Sequence, residues 1–193
     1  MIINNTSTPS FKAKYVGKTN IKKLNPLNGN YEKAEAFLLE FDSKNKNDLA
    51  VLKNTFEQWK SLFGRDIYQT AENIVADMFD EVKNKVYFLT KQKNNIEKLE
   101  TSDILALADV EPKTNKEGNE ILELHRLQVD TALIDKQSPA FKYAGTGVLN
   151  VLKEKFNKII ELNAVPSAIN FYIKNGFIDL QDSFLRFRWT PKN

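Results

Sequence analysis

The sequence contains no cysteine. That absence excludes a disulfide framework, a thiolate metal site and a cysteine nucleophile together. It contains one histidine, His125. No multi-histidine metal centre can be built, and a Ser-His-Asp triad has only this imidazole to run through. No stretch of about 18 apolar residues occurs, which leaves no candidate for a membrane-spanning helix. The first ten residues are polar and lack the apolar segment of a signal peptide. Neither sign of charge dominates: 28 Lys and Arg stand against 25 Asp and Glu, a net charge of +3. The lysines are interleaved with acids, so no large cationic field is implied and nucleic acid is not an expected partner. The absences describe a soluble, cytoplasmic protein with no metal and no membrane partner.

What is present suits one domain with a sizeable core: 193 residues, 41% of them hydrophobic and 27% charged. Residues 1–33 are rich in Asn, Lys, Thr and Pro and read as an N-terminal arm, extended in part around 11–16, with a turn cluster at 25–29. The domain proper is expected over 34–193. A compact apolar run at 36–41 reads as a strand. Leu49, Leu52, Phe56, Trp59 and Phe63 then recur at spacings of three and four, one face of a helix. Asp48 is expected to cap it and Gly64 to end it. Ala71, Ile74, Val75, Met78 and Val82 repeat the pattern in a second helix. Strands are expected over 85–90, 103–110 and 121–129, with a hairpin turn in 112–119. An irregular loop spans 130–144. A helix at 145–157, a strand at 159–165, a helix at 167–174 capped by Ser167 and a last strand at 183–189 complete the order. The mixed order predicts an α/β architecture around a partly antiparallel sheet.

Three local features bear on chemistry. Leu122 and Leu124 sit on one strand parity, Leu127 and Val129 on the other. One extra residue near His125 and Arg126, a β-bulge, would place all four on one face and leave backbone groups unpaired. A strand buried on both faces needs no bulge. Lys142, Tyr143, Ala144, Gly145, Thr146 and Gly147 open a helix, where glycines permit close approach and free N–H groups with the helix dipole favour an anion. Two glycines at a helix start are also an ordinary turn. Finally, Ala168, Phe171, Tyr172, Gly176 and Phe177 mark a short aromatic helix that, taken alone, is an ordinary amphipathic one.

In this order the three features resemble the GNAT acetyltransferase family. There a bulged strand leads to a [Gln/Arg]-x-x-Gly-x-[Gly/Ala] loop and later to an Ala-x-x-Phe-Tyr-x-x-x-Gly-Phe helix. The motifs cover residues 121–177. Two departures stand out: Lys142 replaces the usual Gln or Arg, losing the planar fork of Arg, and the loop before it is long. The resemblance implies a mostly antiparallel central sheet flanked by helices, with a splayed parallel strand pair at the cofactor site. It implies that acetyl-CoA is the co-substrate. Leu127, Gln128 and Val129 would line the pantetheine arm, and residues Lys142 to Gly147 would hold the pyrophosphate. Tyr172 would touch the thioester sulfur and protonate the departing thiolate, its phenol being protonated at neutral pH. Candidate general bases on the central strand are Glu120, Glu123 and His125, with Glu123 favoured because it lies just before the proposed bulge. The Val129 N–H would stabilise the oxyanion. The acceptor would be a small-molecule or peptide amine, and the enzyme a monomer or homodimer. Two other readings remain on the same fold: an inactive module binding CoA or a peptide, and an effector-like acetyltransferase acting on protein or aminoacyl-tRNA.

Overall fold

Residues 86–89 and 104–108 are apolar without alternation, the pattern of strands covered on both faces. In the structure, a computed structural model that describes residues 13–42, 44–76, 83–92, 99–134 and 137–192, these runs lie at the middle of one sheet. In chain order the elements are β1 (Lys14–Leu24), β2 (Tyr31–Glu40), α1 (Lys46–Trp59), α2 (Leu62–Val75), β3 (Lys85–Thr90), β4 (Ile104–Thr114) and β5 (Glu120–Val129). There follow α3 (Thr131–Ile134), β6 (Phe141–Lys142), α4 (Ala144–Phe156), β7 (Ile159–Asn163), α5 (Ile169–Lys174), β8 (Ile178–Asp179) and β9 (Arg186–Trp189). The nine strands form a single sheet in the order β6-β1-β2-β3-β4-β5-β7-β9-β8. Every neighbouring pair is antiparallel except β5 with β7.

Helices cover both faces. Val148, Leu149, Val151 and Leu152 of α4 are buried against one face in a cluster with Leu38, Leu89, Ala106, Leu124 and Ile160. On the other face Leu52 and Trp59 of α1 and Ile67 and Ala71 of α2 pack against Leu39, Phe88 and Leu107. Adjacent residues in 36–39, 86–89 and 104–108 thus feed different cores, which is why those stretches carry no polar side. Among the described residues, no helix is long and apolar enough to cross a membrane.

The structure departs from the sequence reading in four places. Residues 14–24 of the arm are ordered as β1, an 11-residue strand paired with β2 along its length. The helix expected from Asp48 to Gly64 is broken: α1 stops at Trp59, Lys60 turns left-handed at φ 50°, and Ser61 caps α2 by accepting from the Gly64 N–H. Gly64 therefore lies inside α2, where an added Cβ would meet Phe56 at 3.4 Å. A hydrophobic period carried across a tight helix–helix corner hid the break. Asp48 is not the cap either. Asn45 caps α1, while buried Asp48 accepts from the Asp42 N–H at 3.0 Å. Finally, Ser167 lies in a 3-10 turn and no side chain caps α5, which begins at Ile169. The end of the second expected helix, 77–82, lies outside the described residues.

Candidate active site

The bulge exists, and it falls on His125. Asp109 of β4 pairs with Arg126 and Val110 with Leu124, so His125 is the extra residue. As the pattern requires, Leu122, Leu124, Leu127 and Val129 all join the core beneath α4. The register is held electrostatically. Fully buried Asp109 accepts from Arg126 at 3.0 Å, from Asn84 at 2.8 Å and from Thr70 at 3.2 Å. A buried carboxylate is tolerated only with such partners, and a one-residue slip would remove Arg126 from it.

Strand β7 runs parallel to β5 only over 121–124, paired with 159–162. From Arg126 to Val129, β5 has β4 on one side and, among the described residues, no strand on the other. Backbone groups directed to that side are open to a ligand. Two features depart from the expected lining. The Val129 carbonyl already accepts from the Gln128 side chain at 2.6 Å. That side chain is buried toward the α1–α2 corner, where it accepts from Ser61 at 2.6 Å.

The start of α4 faces the same end of β5. Its cap residue is Tyr143, left-handed at φ 70°, and no side chain caps the helix. The first-turn N–H groups of a helix find no partner within it, and here those of Ala144, Gly145 and Thr146 border a cleft of about 390 Å³ shared with Val129 and Phe171. The Gly147 N–H is spent on the Tyr143 carbonyl at 2.8 Å. The glycines serve packing rather than dihedral freedom. A Cβ on Gly145 would lie 3.1 Å from the Phe171 ring, and one on Gly147 would lie 2.9 Å from Thr19. Lys142 belongs to β6, and its ammonium rests 3.9 Å from the centre of the Tyr31 ring.

Tyr172 is 8% exposed, with its ring against Phe171, Phe177 and Phe187. Burial pushes its hydroxyl up to about 12. Among the described residues the hydroxyl has no hydrogen-bond partner, and no buried side-chain polar atom lacks one. The oxygen therefore reaches solvent at the edge of an apolar cage.

The opposite face of the sheet carries Glu123. It stands directly across from Glu111 on β4 and beside Glu161 on β7. Lys113 is ion-paired to Glu123. His125 lies 2.9 Å from Glu111 and 3.9 Å from Glu123. The donor atoms of Glu111, Glu123 and His125 fall within 4.8 Å of one another, compact enough for one cation; the Lys113 ammonium already serves there. Glu123 borders a second cleft of about 450 Å³ with Glu161, Asn163, Arg186 and Arg188.

No protein-family model matches the sequence, and no curated protein matches it. Solved structures do match. A histone acetyltransferase HPA2-related acetyltransferase from Corynebacterium glutamicum superposes with TM-score 0.51 at 12% identity, covering 81% of this chain and 96% of that one. The Bacillus subtilis N-acetyltransferase YlbP, in complex with coenzyme A, gives 0.50 at 13%, covering 76% and 91%. A mutant of the AtaT toxin, bound to acetyl-CoA and the C-terminus of antitoxin AtaR, gives 0.51 at 12%, covering 80% and 92%. AtaT is also seen complexed with acetyl-methionyl-tRNAfMet.

This is the GNAT fold.

Within the GNAT fold the chain brings Val129, Lys142, Tyr143, Ala144, Gly145 and Thr146 to one cleft. It leaves the Gln128 side chain in the opposite core. Leu127 packs half-buried against the α4-side core. Glu123 and His125 share a cluster on the other face. Glu161, Arg188 and Lys22 escaped the sequence reading. Glu161, Arg186 and Arg188 meet only because β7 and β9 pair; Arg188 reaches Glu161 at 2.7 Å and Glu117 at 2.9 Å. Lys22 approaches the Tyr143 ring at 5.9 Å from a strand that read as a loose arm. Short-range spacing carries no signal for either meeting.

Proposed function

We propose that the protein transfers the acetyl group of acetyl-CoA to a primary amine. The observation that carries this is the open side of β5 beyond the His125 bulge, lying at the uncapped start of α4. An extended pantetheine arm can bond the open strand as a further strand would, while the pyrophosphate meets the first-turn amides of α4. Fold relatives determined with acetyl-CoA or coenzyme A support the same ligand.

The thioester is then placed where β5 and β7 diverge. The neutral amine attacks its carbonyl carbon, and the Val129 N–H is the proposed donor to the oxyanion. Collapse of the tetrahedral intermediate breaks the C–S bond. Tyr172, protonated up to about pH 12, is the general acid toward the departing sulfur. Glu123 is the proposed base, because it borders the second cleft from the central strand; His125, bonded to Glu111, positions that cluster. Acceptor amines to screen include small amines, peptides and aminoacyl esters, the last suggested by the acetylated methionyl-tRNA held by AtaT.

The test is thermal unfolding with acetyl-CoA, followed by CoA release with the amine panel. Acetyl-CoA at about 100 times its dissociation constant should stabilise the fold by about 2.7 kcal/mol. Tyr172→Phe should keep that stabilisation and lose about 10²-fold in turnover. No stabilisation would overturn the cofactor reading. Stabilisation without turnover on any amine would leave a CoA-binding module.

A further inference from the structure

Two rows of like charge cross the sheet. Glu111, Glu123 and Glu161 form one, on β4, β5 and β7. It is neutralised from within: Lys113 pairs with Glu123, His125 with Glu111, and Arg186 and Arg188 with Glu161. The second row is Lys33, Lys22 and Lys142, on β2, β1 and β6. Lys22 pairs directly with Lys33 on one side and with Lys142 on the other. Directly paired side chains share a face at close range, and like charges so placed repel. Adjacent strands lie about 4.8 Å apart, so the three stems stand within roughly 10 Å. Among the described residues no carboxylate lies at ion-pair distance from any of them. Lys18, four residues earlier on β1, does have one, in Glu35 at 2.6 Å.

The uncompensated row adjoins the cofactor cleft. Lys142 and Tyr143 line that cleft, and the Lys22 ammonium lies 5.9 Å from the Tyr143 ring. Tyr143 is 55% exposed, an aromatic face beside the helix start. Resting on the reading that α4 holds the pyrophosphate of coenzyme A, we infer that Lys22, Lys33 and Lys142 form a second anion subsite, which takes the ribose 3′-phosphate of the same cofactor. The phosphomonoester supplies the negative charge that the row lacks, and Tyr143 offers the nucleotide base a stacking surface. Two of the three lysines come from β1 and β2, outside the stretch that carries the sequence motifs.

Calorimetry with the full chain decides the matter, comparing CoA with dephospho-CoA, which lacks only the 3′-phosphate. Charge-assisted hydrogen bonds predict that CoA binds about tenfold tighter or more. In a Lys22→Gln/Lys33→Gln variant the two affinities should converge, with that for dephospho-CoA unchanged. Adenosine 3′,5′-bisphosphate should compete with CoA on the wild type and lose potency on the variant. Equal binding of CoA and dephospho-CoA by the wild type overturns this inference and leaves the acetyltransferase reading intact. Failure of both to bind overturns the two together. An unchanged CoA preference in the variant, with lost salt-dependent oligonucleotide binding, would assign the lysines to a nucleic acid and overturn the subsite.

Discussion

Lys153 is an example of a cation placed where burial and partners oppose one another. Its ammonium lies 4.8 Å from the Phe177 ring centre and 5.1 Å from that of Trp189, and it donates to the Asn175 carbonyl at 2.5 Å. The ring faces favour the charged form, but burial lowers the pKa from 10.5 to about 8. The folded chain therefore binds fewer protons than the unfolded chain between about pH 8 and 10.5, and stability rises with pH across that window. Lys153→Met keeps the stem and removes the charge. Its melting temperature should vary less than that of the wild type between pH 8 and 10, and at pH 7 it should be no lower. A parallel pair of profiles from a pH series of melts would refute this. Tyr172 runs the other way: a hydroxyl raised from 10 to about 12 by burial gives stability that is complete below pH 10 and lost as pH climbs toward 12.

At the scale of elements, α4 shows how a glycine pair can be read correctly as important and incorrectly as to why. Gly147 sits where the helix crosses β1, and an added methyl would press on the branched side chain of Thr19 at 2.9 Å and on Leu89 at 3.3 Å. Alanine gains up to about 1 kcal/mol in helix propensity, whereas overpacking costs about 1–3 kcal/mol. Gly147→Ala should thus be destabilised by about 1 kcal/mol in urea unfolding; a more stable variant would mean β1 yields freely. The central strands, α4, and the bulge were legible, because each leaves a local trace. Unbroken apolar runs marked β3 and β4, three-four spacing marked α4, and a parity change between Leu124 and Leu127 marked the bulge. The α1–α2 corner was not legible: Lys60 adopts a left-handed turn that its side chain does not advertise. Nor was β1, whose alternation is diluted by lysines and whose partner β6 has two residues. At the candidate site, Tyr172 and the α4 start were visible as motifs, while the charged neighbours of Glu123 depended on the β7–β9 pairing.

For the molecule as a whole, the distinctive feature is the closure of the long loop onto the first hairpin. Strand β6 adds to the edge of β1, the Leu24 N–H donates to the Ala140 carbonyl at 2.9 Å, and the Tyr31 hydroxyl donates to the Pro139 carbonyl at 2.7 Å. The segment that delivers Tyr143 to the cleft is thereby tied to the chain's first two strands. Tyr31→Phe keeps the ring beneath Lys142 and removes one bond. It should cost about 1 kcal/mol and weaken acetyl-CoA binding, measured by calorimetry; full affinity at reduced stability would show that the tie does not reach the cleft.

That tie also orders events in a chain made from its N-terminus. β1 can fold back on β2 early, across a short turn, but its outer edge must wait for residues 141–142, more than half the chain later. An unpaired edge strand invites other chains to add to it. The lysines along β1, among them Lys22, which faces another lysine rather than an acid, repel a second copy during that interval. Lys22, proposed to greet a phosphate in the finished protein, would then act, in the nascent one, as a guard against aggregation.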